Sequence, residues 1–288
     1  MSLVFACIAP HGGLAIEELC APADRHVAAV TRRGMEELGR RFDAAKPDVT
    51  VVLTPHNVHV DGAMAVITAG SLYGELKEGG AGRGAFDPTA GTKSVSLRAV
   101  TDRELAQGCL GALRAAGIAA AGVHYGANDA AAAVMPMDWA VLVPLWFMGG
   151  RGEGATPAVV MAPARDMSFE THVRAGEALR RAFEASAKRV ALIASCDHAH
   201  AHRDDGPYGY HPAARMFDEK VQEIVRADDL ARLLEIDPAL IRDGKPDSYW
   251  KMLMLHGALR AERWRGELLS YEAPTYFGML CAAYQRVA

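Results

Sequence analysis

Two hundred and eighty-eight residues, half of them apolar, are enough for one large hydrophobic core or two fused halves and exclude a small disulfide scaffold. Thirty-one basic against thirty-five acidic side chains leave a net charge of −4, which gives no bulk attraction to a phosphate backbone or an anionic bilayer and argues against nucleic acid and membrane as partners. The longest apolar stretch, Val134 to Met148, is broken by Asp138 and two prolines and falls short of the roughly 20 residues a spanning helix requires, so a soluble protein is expected. In chain order, Leu3 to Ala9 reads as a strand ending at Pro10-His11-Gly12-Gly13; it has no basic leader and does not fit a signal peptide. Val27 to Phe42 has helical spacing and closes at Lys46-Pro47-Asp48, and Val49 to Leu53 is a second strand ending at Thr54-Pro55-His56. The glycine-rich stretch from Gly70 to Thr92, with Gly79 to Gly84 inside it, reads as a loop and not as a phosphate cradle. Asp102 to Ala116 is a helix, and Val190 to Ala194 is a buried strand running into Ser195-Cys196-Asp197-His198-Ala199-His200-Ala201-His202. The remainder is predicted mostly helical: Ala213 to Arg226, Leu230 to Leu234 and Ser248 to Leu259. This alternation predicts an α/β fold, and no repeat or linker divides the chain.

Five cysteines, at 7, 20, 109, 196 and 281, are odd in number and lack CxxC spacing, which points away from a disulfide framework or a cysteine zinc site and toward a reducing cytoplasm. Cys196 lies in the histidine-rich segment but reads as a small filler. The histidines are more informative. Three strands end in histidine, at His11, at His56 and at His198 to His202, and ligands of α/β sheets bind beyond the carboxyl ends of strands. Imidazoles gathered there suit Fe, Zn, Cu or Ni, and two histidines with one carboxylate are the ligand set of oxygen-activating Fe(II) enzymes.

Several fragments together resemble the class III extradiol dioxygenase superfamily, in particular the catalytic subunit of protocatechuate 4,5-dioxygenase. They are Ala9-Pro10-His11-Gly12, Thr54-Pro55-His56, Met137-Asp138-Trp139-Ala140 through Leu145, Ser195-Cys196-Asp197-His198-Ala199-His200, Tyr208-Gly209-Tyr210, Phe217-Asp218-Glu219-Lys220, Leu255-His256-Gly257-Ala258-Leu259 and Tyr271-Glu272-Ala273-Pro274. The resemblance implies a central β-sheet with helices on both faces and a single catalytic domain over residues 1–288. It places two metal ligands at His11 and His56, and the catalytic base at His200. If the segment is extended, His198 and His202 point the same way as His200; His198 remains a second catalytic candidate, and His202 reads as a solvated loop residue.

Two positions depart from the family pattern. Where relatives carry a ligating Glu, this chain has Gly244-Lys245-Pro246-Asp247-Ser248. Asp247 is the acid available, shorter by one methylene, about 1.5 Å of reach; it is either the third ligand or a helix-capping residue. His256, nine residues on, is an alternative imidazole ligand whose simpler reading is a core-facing side chain. Where many relatives have Asp-His-Gly, Trp139 stands in place of the histidine; an indole N–H donates but does not exchange a proton near neutral pH. Trp139 is therefore expected to wall the substrate pocket with Tyr125 and Asn57, and His124 is the candidate for any acid role.

The implied activity is ring cleavage of a catechol- or aminophenol-type aromatic by O2 at Fe(II), with no organic cofactor. Two alternatives accompany it: a Zn(II) enzyme doing non-redox chemistry on the same scaffold, and a non-catalytic scaffold relative. A homodimer is expected because C2 assemblies dominate soluble oligomers.

Overall fold

A computed structural model describes residues 2–77, 93–152 and 155–287. In chain order the elements are β1 (Leu3–Ala9), α1 (Ala29–Ala45), β2 (Val49–Leu53), β3 (Met64–Ile67), β4 (Ser71–Lys77), β5 (Ser94–Val100), α2 (Arg103–Ala115), β6 (Ala120–Val123), β7 (Val134–Pro136), α3 (Trp139–Phe147), β8 (Ala158–Ala162), α4 (Phe169–Ala185), β9 (Val190–Ser195), α5 (Pro212–Arg226), α6 (Pro238–Gly244), α7 (Tyr249–Leu259), β10 (Trp264–Glu272) and β11 (Met279–Arg286). Eight strands form one sheet in the order β10-β11-β1-β9-β2-β8-β3-β6, and β5, β4 and β7 form a smaller one. The strands β1, β9, β2 and β8 run parallel to one another.

Parallel strands are buried on both faces, which is why β1, β2 and β9 are continuous apolar runs and not alternating ones. Leu3, Ala6, Ile8, Val51 and Leu192 face a core shared with α2, α4, α5 and α7. Phe5, Cys7, Val52 and Ile193 face the other core, with α1, α3 and the small sheet. The expected α/β architecture, a central sheet with helices on both faces, is the observed one.

The helix pair α4 and α7 crosses closely because glycines stand at the contact. A Cβ at Gly176 would run into the Met254 carbonyl, and one at Gly257 into the Val173 carbonyl. This close crossing, with α7 also packed on β9, fixes where the start of α7 meets the sheet.

Two expectations fail. The Gly70 to Thr92 stretch is a loop only in part: Ser71–Lys77 is a strand whose Leu72, Gly74 and Leu76 turn inward while Tyr73, Glu75 and Lys77 turn out. That two-residue alternation was present in the sequence and was outweighed by the surrounding glycines; residues 78–92, including Gly79 to Gly84, lie outside the described residues. The C-terminal region is not mostly helical either, because β10 and β11 form an antiparallel hairpin that adds to the edge of β1. All five cysteines are free and buried. Among the described residues no helix is long and apolar enough to cross a membrane.

Candidate metal centre

Strand β9 lies between β1 and β2, so the three carboxyl ends emerge side by side. Pro10-His11 follows β1, Thr54-Pro55-His56 follows β2, and Asp197 follows β9. The fourth contributor comes from the turn between α6 and α7. Lys245 ends α6 in the left-handed conformation (φ 57°), and the Ser248 N–H donates to the Asp197 carbonyl at 3.1 Å, tying the start of α7 to the end of β9. Asp247, between them, is thereby carried to the histidines. It does not cap the helix: Ser248 occupies that position, and the Asp247 carboxylate turns inward.

His11, His56 and Asp247 bring one donor atom each to within 4.8 Å of one another, and Asp197, His200 and Asp247 form a second such group. His11 Nε2 lies 3.1 Å from Asp247 Oδ2 and 3.3 Å from Asp197 Oδ2. Its tautomer follows from the hydrogen bonds on the other nitrogen. Ser195 Oγ gives its one proton to the Ala140 carbonyl at 2.6 Å, so at 3.0 Å from His11 Nδ1 it accepts the imidazole N–H. The Nε2 lone pair then faces two buried carboxylates, an arrangement that a cation satisfies and a neutral imidazole does not. An imidazole with its outer N–H anchored and its inner nitrogen free is also how metal-binding histidines are oriented. The residues present fit a divalent metal.

The electrostatics show how strongly this position attracts positive charge. Burial works against a charged His11, but Asp197 and Asp247 outweigh it and hold its pKa above the ordinary value, so a proton on Nε2 competes with a metal ion for the same place. Burial, and then His11, push His56 down to about 3, so it is a neutral donor at physiological pH. Burial opposes the charge on Asp247 too, yet the Lys251 ammonium and His11 keep its carboxyl well below the usual range. Burial raises Asp197.

The segment after β9 does not stay extended. The chain bends at His200, so the three histidines do not share one side. His200 looks into a pocket of about 110 Å³ with His11, His56, Asp197, Tyr208 and Phe277. Its Nδ1–H donates to the Lys245 carbonyl at 3.0 Å, since a carbonyl only accepts, and Nε2 is left as the basic nitrogen. His198 is fully buried against Phe217 and away from that pocket. His202 is not a solvated loop residue: its Nε2 lies 2.8 Å from Asp218 Oδ2, which also accepts from the Tyr271 hydroxyl at 2.6 Å. Asp218 Oδ1 accepts the Ala199 N–H at 2.9 Å, so this one buried acid clips the histidine segment to α5.

Trp139 begins α3 and touches His56, with ring centroids 4.2 Å apart. It borders both the small pocket and a larger cavity of about 640 Å³ that includes Asn57, Tyr125, Met135 and Pro136. Asn57, in the left-handed conformation (φ 71°), donates to the Pro136 carbonyl at 2.8 Å. His124 does not join this lining: it is exposed, 3.4 Å from Thr68 Oγ1, while its neighbour Tyr125, itself largely exposed, stands at the rim of the cavity. His256 faces a different surface pocket with Asp228 and Trp264, on the far part of α7.

Three participants were not singled out from the sequence: Ser195, Asp197 and Lys251. The signal for Lys251 was available, a lone charge in the apolar run Tyr249 to Leu255 and one helical turn from Asp247. Asp197 and Ser195 stood inside the histidine segment, overshadowed by the imidazoles.

The family model of the catalytic LigB subunit of aromatic ring-opening dioxygenase matches residues 5–280, and the chain belongs to this family. A protein of Clostridium acetobutylicum is 22% identical over 273 residues, covering 94% of this chain and 55% of that protein, so the chain spans about half the relative's length. The crystal structure of an uncharacterised protein from Escherichia coli K12 superposes with a TM-score of 0.59 at 16% identity, covering 97% of this chain and 99% of the other. That likeness is one of fold.

Proposed function

We propose that the chain is a non-haem Fe(II)-dependent extradiol dioxygenase that opens the ring of a catechol- or aminophenol-type aromatic with O2. The observation that carries this reading is the meeting of His11 and His56, beyond the ends of β1 and β2, with Asp247 from the turn before α7, in a member of the LigB family. Those three residues would hold the metal. Bound Fe(II) supplies neighbouring positions for both oxygens of the substrate and for O2, bringing the reactants together.

The chain's own residues then have separate tasks. His200 presents Nε2 to the small pocket as a proton acceptor for a substrate hydroxyl, held in that tautomer by Lys245. Trp139 and His56 form the wall between this pocket and the larger cavity, where Tyr125 and Asn57 receive the part of the substrate that does not react. Tyr208 and Phe277 narrow the opposite side around His200. The net charge of −4 favours a small molecule over nucleic acid, and a cytoplasmic homodimer completes the proposal.

A Zn(II) non-redox enzyme is the second reading, supported by the nearness of a third imidazole, His200, to Asp247. Anaerobic reconstitution with Fe(II) or Zn(II), followed by an oxygen-electrode assay on a panel of ortho-diphenols and aminophenols, separates the two. Oxygen uptake matched to loss of the aromatic ring, with iron alone, is the expected result. Iron-loaded protein that consumes no oxygen with any of them overturns the dioxygenase reading.

A further inference from the structure

Lys251 is a buried charged group beside the proposed metal ligands for which the proposed chemistry has no direct use. Its side chain has 0% exposure, and among the described residues its hydrogen bonds run to Asp247 alone, to the backbone carbonyl and to Oδ1 at 2.9 Å. Oδ1 also accepts the Asp197 N–H at 3.1 Å. The other oxygen, Oδ2, faces His11 Nε2. The two oxygens of one carboxylate therefore have different surroundings: two donors on one, the metal-binding face on the other.

We propose that Lys251 is a positioning residue that occupies Oδ1 of Asp247, so that this ligand offers a metal one oxygen and keeps further positions on the ion open for substrate. The inference rests on the metal centre proposed above and deepens it. Lys251 lies one helical turn beyond Asp247, where the i, i+4 geometry of α7 lets an ammonium fold back onto the acid. A carboxylate free to rotate can close on an ion with both oxygens; one oxygen already accepting two hydrogen bonds cannot be recruited without taking the charged partner from a buried ammonium, a costly change. The same ammonium offsets one of the two carboxylate charges at the site, which lowers the accumulated negative charge around the ion.

An amide at position 247 tests this directly. Asn has one acceptor oxygen and one donor NH2. Facing Lys251 and the Asp197 N–H, Asp247→Asn must turn its oxygen toward those two donors and its NH2 toward His11, where an NH2 is no ligand. Binding is read by titration with Co(II), followed by visible absorption, and with Zn(II), followed by calorimetry. D247N is expected to lose affinity by on the order of 100-fold or more, although the residue keeps an oxygen. The double variant D247N/K251M keeps the Asp197 N–H on the inner side but removes the ammonium, one of the two donors that hold the amide oxygen there, and is expected to recover at least about tenfold of that loss, a coupling between neighbours. D247N that binds within threefold of the parent, or a double variant no better than D247N, overturns the proposal. If D247N does not fold, Lys251→Met alone carries the test: loss of the ammonium from Oδ1, leaving only the Asp197 N–H there, is expected to weaken and shift the Co(II) visible bands as coordination rises, and a spectrum identical to the parent's overturns it. A parent that binds neither ion removes the metal centre and this inference with it, whereas a parent that binds normally beside an equally competent D247N removes only this inference.

Discussion

The indole of Trp139 lies over the imidazole of His56 at a tilt of 37°, with ring centroids 4.2 Å apart, so it rests on a proposed metal ligand. Trp139 is half-buried at the first position of α3, and the helix start is held independently by Asp138, whose carboxylate accepts the Ala140 N–H at 2.8 Å. Trp139→His is therefore expected to cost no more than about 1.5 kcal/mol of stability, well below the several kcal/mol of a buried aromatic truncation. It should instead change the ranking of substrates by kcat/KM, because it opens the wall between the two pockets. Denaturant unfolding and steady-state kinetics on the same variant check both halves. A large stability loss with an unchanged substrate ranking would return Trp139 to the core.

Ser195 carries a sharper expectation. Its hydroxyl is the acceptor that keeps the proton on His11 Nδ1. Ser195→Ala removes that anchor without touching a ligand, and metal affinity is expected to fall by about 10- to 100-fold, as loss of an outer hydrogen-bond partner does. His11→Ala and His56→Ala should each abolish retention altogether while leaving the circular dichroism of the fold intact. Metal content after dialysis against a weak chelator gives the order: parent, then S195A, then the two histidine variants. S195A that holds metal like the parent would sink the tautomer argument.

Why some of this was legible in the sequence and some was not has a physical answer. The strands β1, β2 and β9 were readable because parallel central strands are apolar without interruption, and their ends were marked by Pro-His or by a histidine cluster. Strand β4 was lost because Gly74 takes the place of an inward-facing apolar side chain, leaving only Leu72 and Leu76 to mark the buried face; a Cβ there would meet the Met137 carbonyl. The hairpin of β10 and β11 is an edge whose pairing is tertiary, and no local pattern announced it. At the site, His11 and His56 could be read one residue at a time. The side to which His198, His200 and His202 turn could not, since it depends on a bend at His200 and on Asp218 reaching across from α5. The placement of Asp247 likewise depends on a non-local contact, the tie between Ser248 and Asp197.

His198 supplies a pH dependence. It has 0% exposure, its ring nitrogens make no hydrogen bond of normal geometry, and burial lowers its pKa from the ordinary value near 6.5. A depressed value means that the unfolded chain takes up this proton more readily than the folded one. The contribution to stability is therefore complete above the unfolded pKa and is lost as pH falls from about 6.5 toward the lower folded value. His198→Leu is expected to flatten the acid limb of the stability profile over that window and to leave stability at pH 7.5 unchanged or slightly higher, since it removes two poorly satisfied polar atoms from the core. It should also keep metal and turnover, because His198 faces Phe217 and not the pocket. Urea unfolding between pH 5 and 7.5 measures the first effect; a variant with the parent's acid limb refutes it, and one without turnover restores His198 to the chemistry.

His200 is the position where proton transfer separates from metal binding. Loss of a ligand removes the ion and everything after it, whereas loss of a general base leaves ion and substrate bound and slows only the chemical step, typically by about 10²- to 10⁴-fold. The imidazole is held on both sides: Nδ1 donates to the Lys245 carbonyl, and the ring stacks on Phe277 with centroids 5.5 Å apart. His200→Phe preserves that stacking and removes the basic nitrogen. The variant is expected to bind Fe(II) like the parent and to perturb the absorption of an added catechol, while oxygen consumption falls within the stated range. His200 also lies within reach of Asp197 and Asp247 as a possible donor to a cation, and this makes the outcome decisive. If H200F loses its iron, the imidazole is a ligand, the site has three of them, and the zinc reading gains at the expense of the oxygenase. If it keeps iron and full turnover, the base lies elsewhere; His202, bonded to Asp218 on the other side of the bend, is too far committed to replace it, and a substrate hydroxyl would then have to lose its proton to Asp197, whose burial-raised pKa suits it to accept one.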